Sequence, residues 1–185
     1  MTEGESRSAL LVLDVFNTFQ FPGGEELFNN AKETTGRIRA LRQRFHEAAC
    51  PVIYVNDNFE RWQDSFDEVV AYVERSGDPG RSMVDAFRPD AGDLKLLKPR
   101  HSAFFETALP SLLDHLGVKR VVVAGFAADS CVLSTVLDAY VRRIEAMVPV
   151  DTTAAQTDER RDRTLAHLRD TFGIETPASA VVRPR

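Results

Sequence analysis

Short, unbroken apolar runs alternate along this chain with longer stretches in which apolar residues return every three or four positions. Ala9-Leu10-Leu11-Val12-Leu13 is the first run, and it ends on Asp14. Such a run is the pattern of a strand buried on both faces. Leu27, Ala31, Thr34, Ile38, Leu41, Phe45 and Ala48 then follow at helical spacing, until Pro51 stops the helix. Val52 to Val55 is a second buried strand, closed by Asn56-Asp57-Asn58. Residues 59–76 predict a weaker helix with Trp62, Phe66, Val69, Val70 and Val73 on its apolar face. Ser76 to Gly80 reads as loop and Met83 to Phe87 as a helical turn. Asp93 to Leu97 is a third strand ending at Lys98-Pro99, and Leu109 to Leu116 a helix stopped by Gly117. Val118 to Ala124 is the strongest strand pattern and runs into Gly125. Ser130 to Arg142 reads as helix, Ile144 to Val150 as a fifth strand, Asp158 to Phe172 as helix, and Val181-Val182 as a short sixth strand.

Strands alternating with helices of ten or more residues build βαβ units. The expected fold class is therefore α/β, a three-layer α/β/α sandwich around a mostly parallel, Rossmann-like sheet of about six strands. The chain has 185 residues, 43% of them hydrophobic and 28% charged, which suits a single domain over 8–185 behind a frayed polar tail, 1–7. A net charge of -5 argues against a nucleic-acid partner. No apolar run approaches the ~20 residues of a spanning helix, and Met1 to Ser8 lacks a secretory pattern, so no membrane partner is expected. Two cysteines make no disulfide framework, so the expected compartment is the cytoplasm.

In an open α/β sheet the ligand site lies outside the carboxyl ends of the strands. That rule selects Asp14, Asn56 to Asn58, Lys98, and Gly125 to Cys131. Cys131 opens a helix, where unpaired N–H groups favour a thiolate and can hold an oxyanion. The same position also suits a small buried hydrophobe. Asp14 at the end of an apolar strand needs a partner if it is buried. It could equally cap a helix or make a structural ion pair, and Lys98 could equally be solvated. A thiol, a base and a cation at neighbouring strand ends together form a nucleophile, its activator and an electrostatic partner. A dinucleotide site is excluded, because Asp14-Val15-Phe16-Asn17-Thr18-Phe19 contains no glycine.

Three blocks now matter together: Leu11 to Phe19, Lys98 to Phe104, and Gly125 to Val132. In order and spacing they resemble the isochorismatase-like cysteine hydrolases, a superfamily that includes nicotinamidases, carbamoylsarcosine amidases and ureidoacrylate amidohydrolases. The resemblance covers about residues 8–175. It implies an Asp-Lys-Cys triad of Asp14, Lys98 and Cys131 that cleaves a C–N bond of a small amide, ureide or carbamoyl substrate through a thioester. It also implies a non-proline cis peptide at Phe126–Ala127 and an oxyanion hole built from the Ala127 and Cys131 N–H groups. Two alternatives stand beside this reading. One is vinyl ether hydrolysis, whose enzymes commonly lack the cysteine; the other is a non-catalytic binding domain on the same fold.

The departures from the family pattern concern substrate. Phe16 and Thr18 replace a Gln and an Asp that are frequent in the first block, and Ala128 replaces a usual Thr. Nicotinamidases hold a metal through an Asp and several His after the second strand. Here Asp57 is followed by Asn58, Phe59 and Glu60, and none of His46, His101, His115 and His167 is near it in sequence. No metal and no cofactor is expected. The pocket candidates are Phe19, Asn58, Trp62 and Phe104, with Arg100 or His101 available to read a substrate carboxylate. The resemblance further implies self-association; closed dimers are the commonest soluble oligomers and tetramers the next, so a homodimer or homotetramer is expected, with Trp62 on a rim loop as the candidate to complete a neighbour's pocket.

Overall fold

The computed structural model describes residues 7–185. Residues 1–6 of the expected tail lie outside them. Arg7 belongs to the fold: it opens strand β1 (Arg7–Leu13) and its guanidinium reaches the Ala49 and Leu116 carbonyls at 3.1 and 3.3 Å. The elements that follow are α1 (Gly24–Glu47), β2 (Val52–Asp57), α2 (Phe66–Arg75), α3 (Asp78–Phe87), β3 (Leu94–Lys98) and α4 (Leu109–His115). Then come β4 (Val118–Phe126), a π-helical turn (Ala128–Val132) continuing into α5 (Leu133–Val141), β5 (Glu145–Met147), β6 (Thr153–Ala154) and α6 (Asp158–Phe172).

Every strand pair is parallel, in the order β3-β2-β1-β4-β5 with β6 beside β4. The period of two divides each central strand between two cores. Leu10, Val12, Tyr54, Val122 and Ala124 pack under α1, α2 and α3. Leu11, Leu13, Ile53, Val55, Val121 and Val123 pack under α4, α5 and α6. The chain runs outward from β1 to β3 and then returns to place β4 on the other side of β1. That reversal opens a crevice between the carboxyl ends of β1 and β4, where Asp14 and Cys131 stand.

Several boundaries differ from the sequence pattern, each for a local reason. The helix expected over 59–76 begins only at Phe66, behind a Ser65/Glu68 capping box. Upstream of it, Asp57 and Asn58 accept hydrogen bonds from the Phe59 and Glu60 N–H groups and turn the chain, which leaves Trp62 in a loop. The expected loop 76–80 is the start of α3, where Pro79 suits the first turn. The fifth strand is shorter than expected, because the Val148 and Val150 N–H groups donate to Glu175 and Pro177. The sixth strand is Thr153–Ala154, whereas Val181 ends a 3-10 turn (Ser179–Val181).

Gly125 fixes how closely β4 approaches β1. Its φ is +113°, and a Cβ there would sit 2.0 Å from the Leu13 carbonyl oxygen, next to Asp14. Gly36 is the opposite case, with open space around it in the middle of α1. Gly125→Ala is expected to cost about 2–3 kcal/mol through backbone strain and steric overlap. That lowers Tm by roughly 5–10 °C for a chain of this size. Gly36→Ala is expected to stabilise by about 0.5–1 kcal/mol. Thermal unfolding of the two variants checks both signs.

Candidate active site

Asp14 leaves β1 in the left-handed region, with φ +49°, which aspartate tolerates better than most residues. Its N–H still continues the sheet by donating to the Val55 carbonyl at 3.1 Å. The turned side chain is held by one oxygen: Oδ1 accepts the Asp57 N–H at 2.7 Å. The other, Oδ2, lies 2.8 Å from Lys98 Nζ, an ionic contact rather than an aligned hydrogen bond. Lys98 is the last residue of β3, two strands away, and its side chain is 0% exposed. Its ammonium also lies 3.7 Å from Asp57 Oδ2 and 3.6 Å from Cys131 Sγ. Asp14, Lys98 and Cys131, picked out separately in the sequence, are therefore brought to one point.

Cys131 is in the first turn of the helix that continues as α5. The Ser130 and Val132 N–H groups both donate to the Ala127 carbonyl at 3.1 Å, which draws this turn tight behind the Phe126–Ala127 cis bond. Ser130 Oγ lies 3.9 Å from the sulfur. One residue that the sequence left without a role joins this group. Asn56, 1% exposed, takes the Phe16 N–H on Oδ1 at 3.1 Å and gives Nδ2 to the Phe16 carbonyl at 2.9 Å. It thereby ties down the loop that leaves Asp14. A buried amide at a strand end, with both functions to satisfy, is the signal that could have found it.

The thiol lines a cleft of about 410 Å³ with Asn17, Phe21, Phe59, His101 and Arg160. None of the four expected pocket residues lines it. Phe19 is buried against Phe28, with ring centroids 5.2 Å apart, and Phe104 is buried in the core beneath α5. Asn58 spends its side chain on the turn above. Trp62, 71% exposed, lies with Asn58 on a separate groove of about 540 Å³ that Arg100 and Phe105 also line. The side chains of loop residues are set by turn geometry that hydrophobic patterning does not carry. His101 does face the cleft. Another hollow, of about 500 Å³ between α1 and α6, has its charges matched internally, as in Arg161 with Asp158 and Asp162.

Among the described residues, one group of His and carboxylates is compact enough to share an ion: His46, Asp90 and Asp93. It lies outside the cleft. Its members already satisfy one another, His46 Nε2 with Asp93 Oδ1 at 2.7 Å and the Asp90 N–H with Asp93 Oδ2 at 2.8 Å.

Residues 8–179 match the isochorismatase domain. The chain belongs to the isochorismatase family. An uncharacterized isochorismatase family protein of Bacillus subtilis, YaaI, is 32% identical over 90% of this chain and 91% of its own length. The ureidoacrylate amidohydrolase RutB of Yersinia enterocolitica is 28% identical over 91% and 84%. An Arabidopsis thaliana protein described as a probable inactive nicotinamidase is 29% identical over 96% and 95%. Among solved structures, the N-carbamoylsarcosine amidase of Thermoplasma acidophilum superposes with a TM-score of 0.72, at 29% identity over 95% of this chain and 98% of that one.

The electrostatics of this family member reverse one expectation. The helix start was expected to lower the Cys131 pKa. Instead burial, and next the Asp14 carboxylate, push the thiol well above its ordinary value, outweighing the downward pull of Lys98 and the Ser130 hydroxyl. Burial acts to lower Lys98, but Asp14, Cys131 and Asp57 together hold its ammonium above the usual lysine value. Burial and Asp14 thus both favour the protonated form of the thiol, beside the Asp14–Lys98 pair.

The sign of each contribution can be checked with iodoacetamide, which traps thiolate. In the wild type, Cys131 alkylation should set in at a higher pH than for an ordinary thiol. Asp14→Asn removes a raising charge and should move the profile to lower pH. Lys98→Met removes the lowering charge and should move it to higher pH. Mass spectrometry of timed reactions reads the profile; one that neither variant moves would exclude this coupling.

Proposed function

We propose that this isochorismatase-family hydrolase cleaves a C–N bond in a small amide, ureide or carbamoyl compound, with Cys131 as nucleophile. The observation that carries the reading is the contact chain that runs from the buried ion pair to the cleft: Asp14 Oδ2 to Lys98 Nζ at 2.8 Å and Lys98 Nζ to Cys131 Sγ at 3.6 Å. The names of the amidohydrolase and amidase relatives support the bond class.

Since burial and Asp14 both favour the protonated thiol, activation needs a base at the moment of attack. Asp14 takes the Cys131 proton as the sulfur adds to the carbonyl carbon. Lys98 stays an ammonium throughout, holding the carboxylate in place and offsetting negative charge as it moves between sulfur and oxygen. The Ala127 and Cys131 N–H groups receive the carbonyl oxygen as it becomes an oxyanion. As the tetrahedral intermediate collapses, the C–N bond breaks and Asp14 hands the proton to the leaving nitrogen. Water, deprotonated by Asp14, then attacks the thioester. The C–S bond breaks, the acid leaves, and the proton returns to sulfur.

Hydrolysis of an amide or ureide panel, followed by release of ammonia or amine, tests this reading. Cys131→Ala, Asp14→Asn and Lys98→Met should each lower kcat by about 10³-fold or more. Asp14→Asn is the telling variant, since it should raise the thiolate fraction while abolishing turnover. An acid-quenched intact mass should show an acyl adduct on Cys131. Turnover that survives Cys131→Ala would reject the nucleophile. A second reading, a binding domain without catalysis, is favoured by the plant relative described as inactive; ligand binding with no turnover across the panel would select it.

Self-association into a homodimer or homotetramer is part of the proposal and is supported by the exposed Trp62 and Phe105 on the neighbouring groove. Light scattering should give a mass of at least two chains. A mass of one chain, constant on concentration, would remove it.

A further inference from the structure

One polar stripe of the helix that carries Cys131 is spent on the chain leaving β3. Thr135, Asp138 and Arg142 follow Cys131 by four, seven and eleven positions, the spacing of one helix face. Each meets residues 102–104, just beyond Lys98. Thr135 Oγ1 accepts the Ala103 N–H at 2.9 Å, and both residues are 0% exposed. Ser102 Oγ donates to Asp138 Oδ2 at 2.6 Å and accepts the Phe104 N–H at 3.1 Å. Arg142 Nε meets the other oxygen of Asp138 at 3.0 Å, and its guanidinium lies 5.3 Å from the centre of the Phe104 ring. The Lys98–Cys131 contact is the first rung of this ladder. β3 is the edge strand of the sheet, paired with β2, and of its five residues Lys98 is the buried one. The sheet thus fixes where Lys98 stands along β2. Its distance from a sulfur on the helix depends on how the exit of β3 is tied to that helix.

We propose that Thr135 is a positioning residue: by holding the segment 99–104 against α5, with Ser102 and Asp138 as a second anchor, it sets the Lys98 ammonium against the Cys131 thiol. This rests on the hydrolase reading for why the contact matters, but its test needs no turnover. Thr135 is fully buried, so it reaches the reacting atoms only through its neighbours. The pull of an ammonium on a thiolate weakens with distance, so a loosened segment withdraws part of what Lys98 supplies. Of the other charged or titratable groups that line the cleft, Asp14, Asp57, Asp129 and Arg160 stand outside the segment. His101 is part of it, so the test separates His101 from Lys98.

The test is the pH profile of Cys131 alkylation by iodoacetamide, with Cys50, just before β2 at the opposite edge of the sheet, as internal reference. Thr135→Val keeps the shape of the side chain and removes the acceptor from a buried N–H. It should move the Cys131 profile to higher pH by about 0.5–1 unit, the direction of Lys98→Met, and slow alkylation at a fixed pH below the midpoint about three- to tenfold. Thr135→Ser keeps the hydroxyl and should hold the wild-type profile. Ser102→Ala should shift the profile the same way by less, and it carries the test if Thr135→Val does not fold. On a Lys98→Met background Thr135→Val should add no further shift. Cys50 should keep its own profile throughout. A Cys131 profile that stays in place, or moves to lower pH as water reaches the thiol, overturns the proposal. So does a serine variant that shifts as far as the valine one, or a shift shared by Cys50, which marks general loosening. A shift that persists on Lys98→Met also overturns it, by assigning the effect to His101 or to burial. A Lys98-dependent shift in an enzyme that hydrolyses nothing in the amide and ureide panel supports the positioning role and counts against the hydrolase reading. Turnover with an unmoved profile overturns the positioning role alone.

Discussion

The rest of this site depends on one buried ion pair, Asp14 with Lys98. Two charges removed from water cost several kcal/mol each unless geometry and further hydrogen bonds compensate them. The fold supplies both. Asp14 gains the Asp57 N–H on its second oxygen, and Lys98 has a second carboxylate within 3.7 Å. These groups come from the ends of three neighbouring strands, so the pair exists only when β1, β2 and β3 are in register. The parallel pairing of Asp57 with Lys98 sets that register. A shift of one residue would turn the lysine to the other face of the sheet.

The pair also sets the chemistry of the thiol. A cation alone beside Cys131 would make a standing thiolate. A cation already answered by a carboxylate favours the neutral thiol, and the same carboxylate is the base of the proposed mechanism. Burial adds to this by disfavouring any uncompensated anion. In the proposed mechanism Cys131 is therefore activated by proton transfer rather than ionised at rest.

Backbone detail holds these side chains at the crevice. Asp14 turns in the left-handed region, Asn56 ties both polar groups of Phe16, and Gly125 lets β4 come within contact of Leu13. The π-helical turn at Ala128–Val132 then presents Cys131 at the start of α5. Positive φ recurs at Phe19, Phe59 and Glu60 in the loops beside the cleft. Non-glycine residues in this region persist only where the surroundings over-determine them, and they concentrate at functional sites.

The sequence by itself determined the layered α/β architecture, because unbroken apolar runs and helical spacings are one-dimensional records of burial. It also determined which chemical groups stand at the strand ends, since the sheet's polarity follows from strand order and Asp14, Lys98 and Cys131 end or follow three of the runs. Only the tertiary structure decided what surrounds them. Phe19 and Phe104 turned into the cores and Trp62 outward, because Asx turns and left-handed residues set those loops. Arg160 entered the cleft from a helix 29 positions beyond Cys131 in the chain, a proximity that no local pattern encodes. The direction of the Cys131 shift was likewise a tertiary matter. It depends on burial and on where a carboxylate and an ammonium lie relative to one sulfur, and those are distances between residues far apart in the chain.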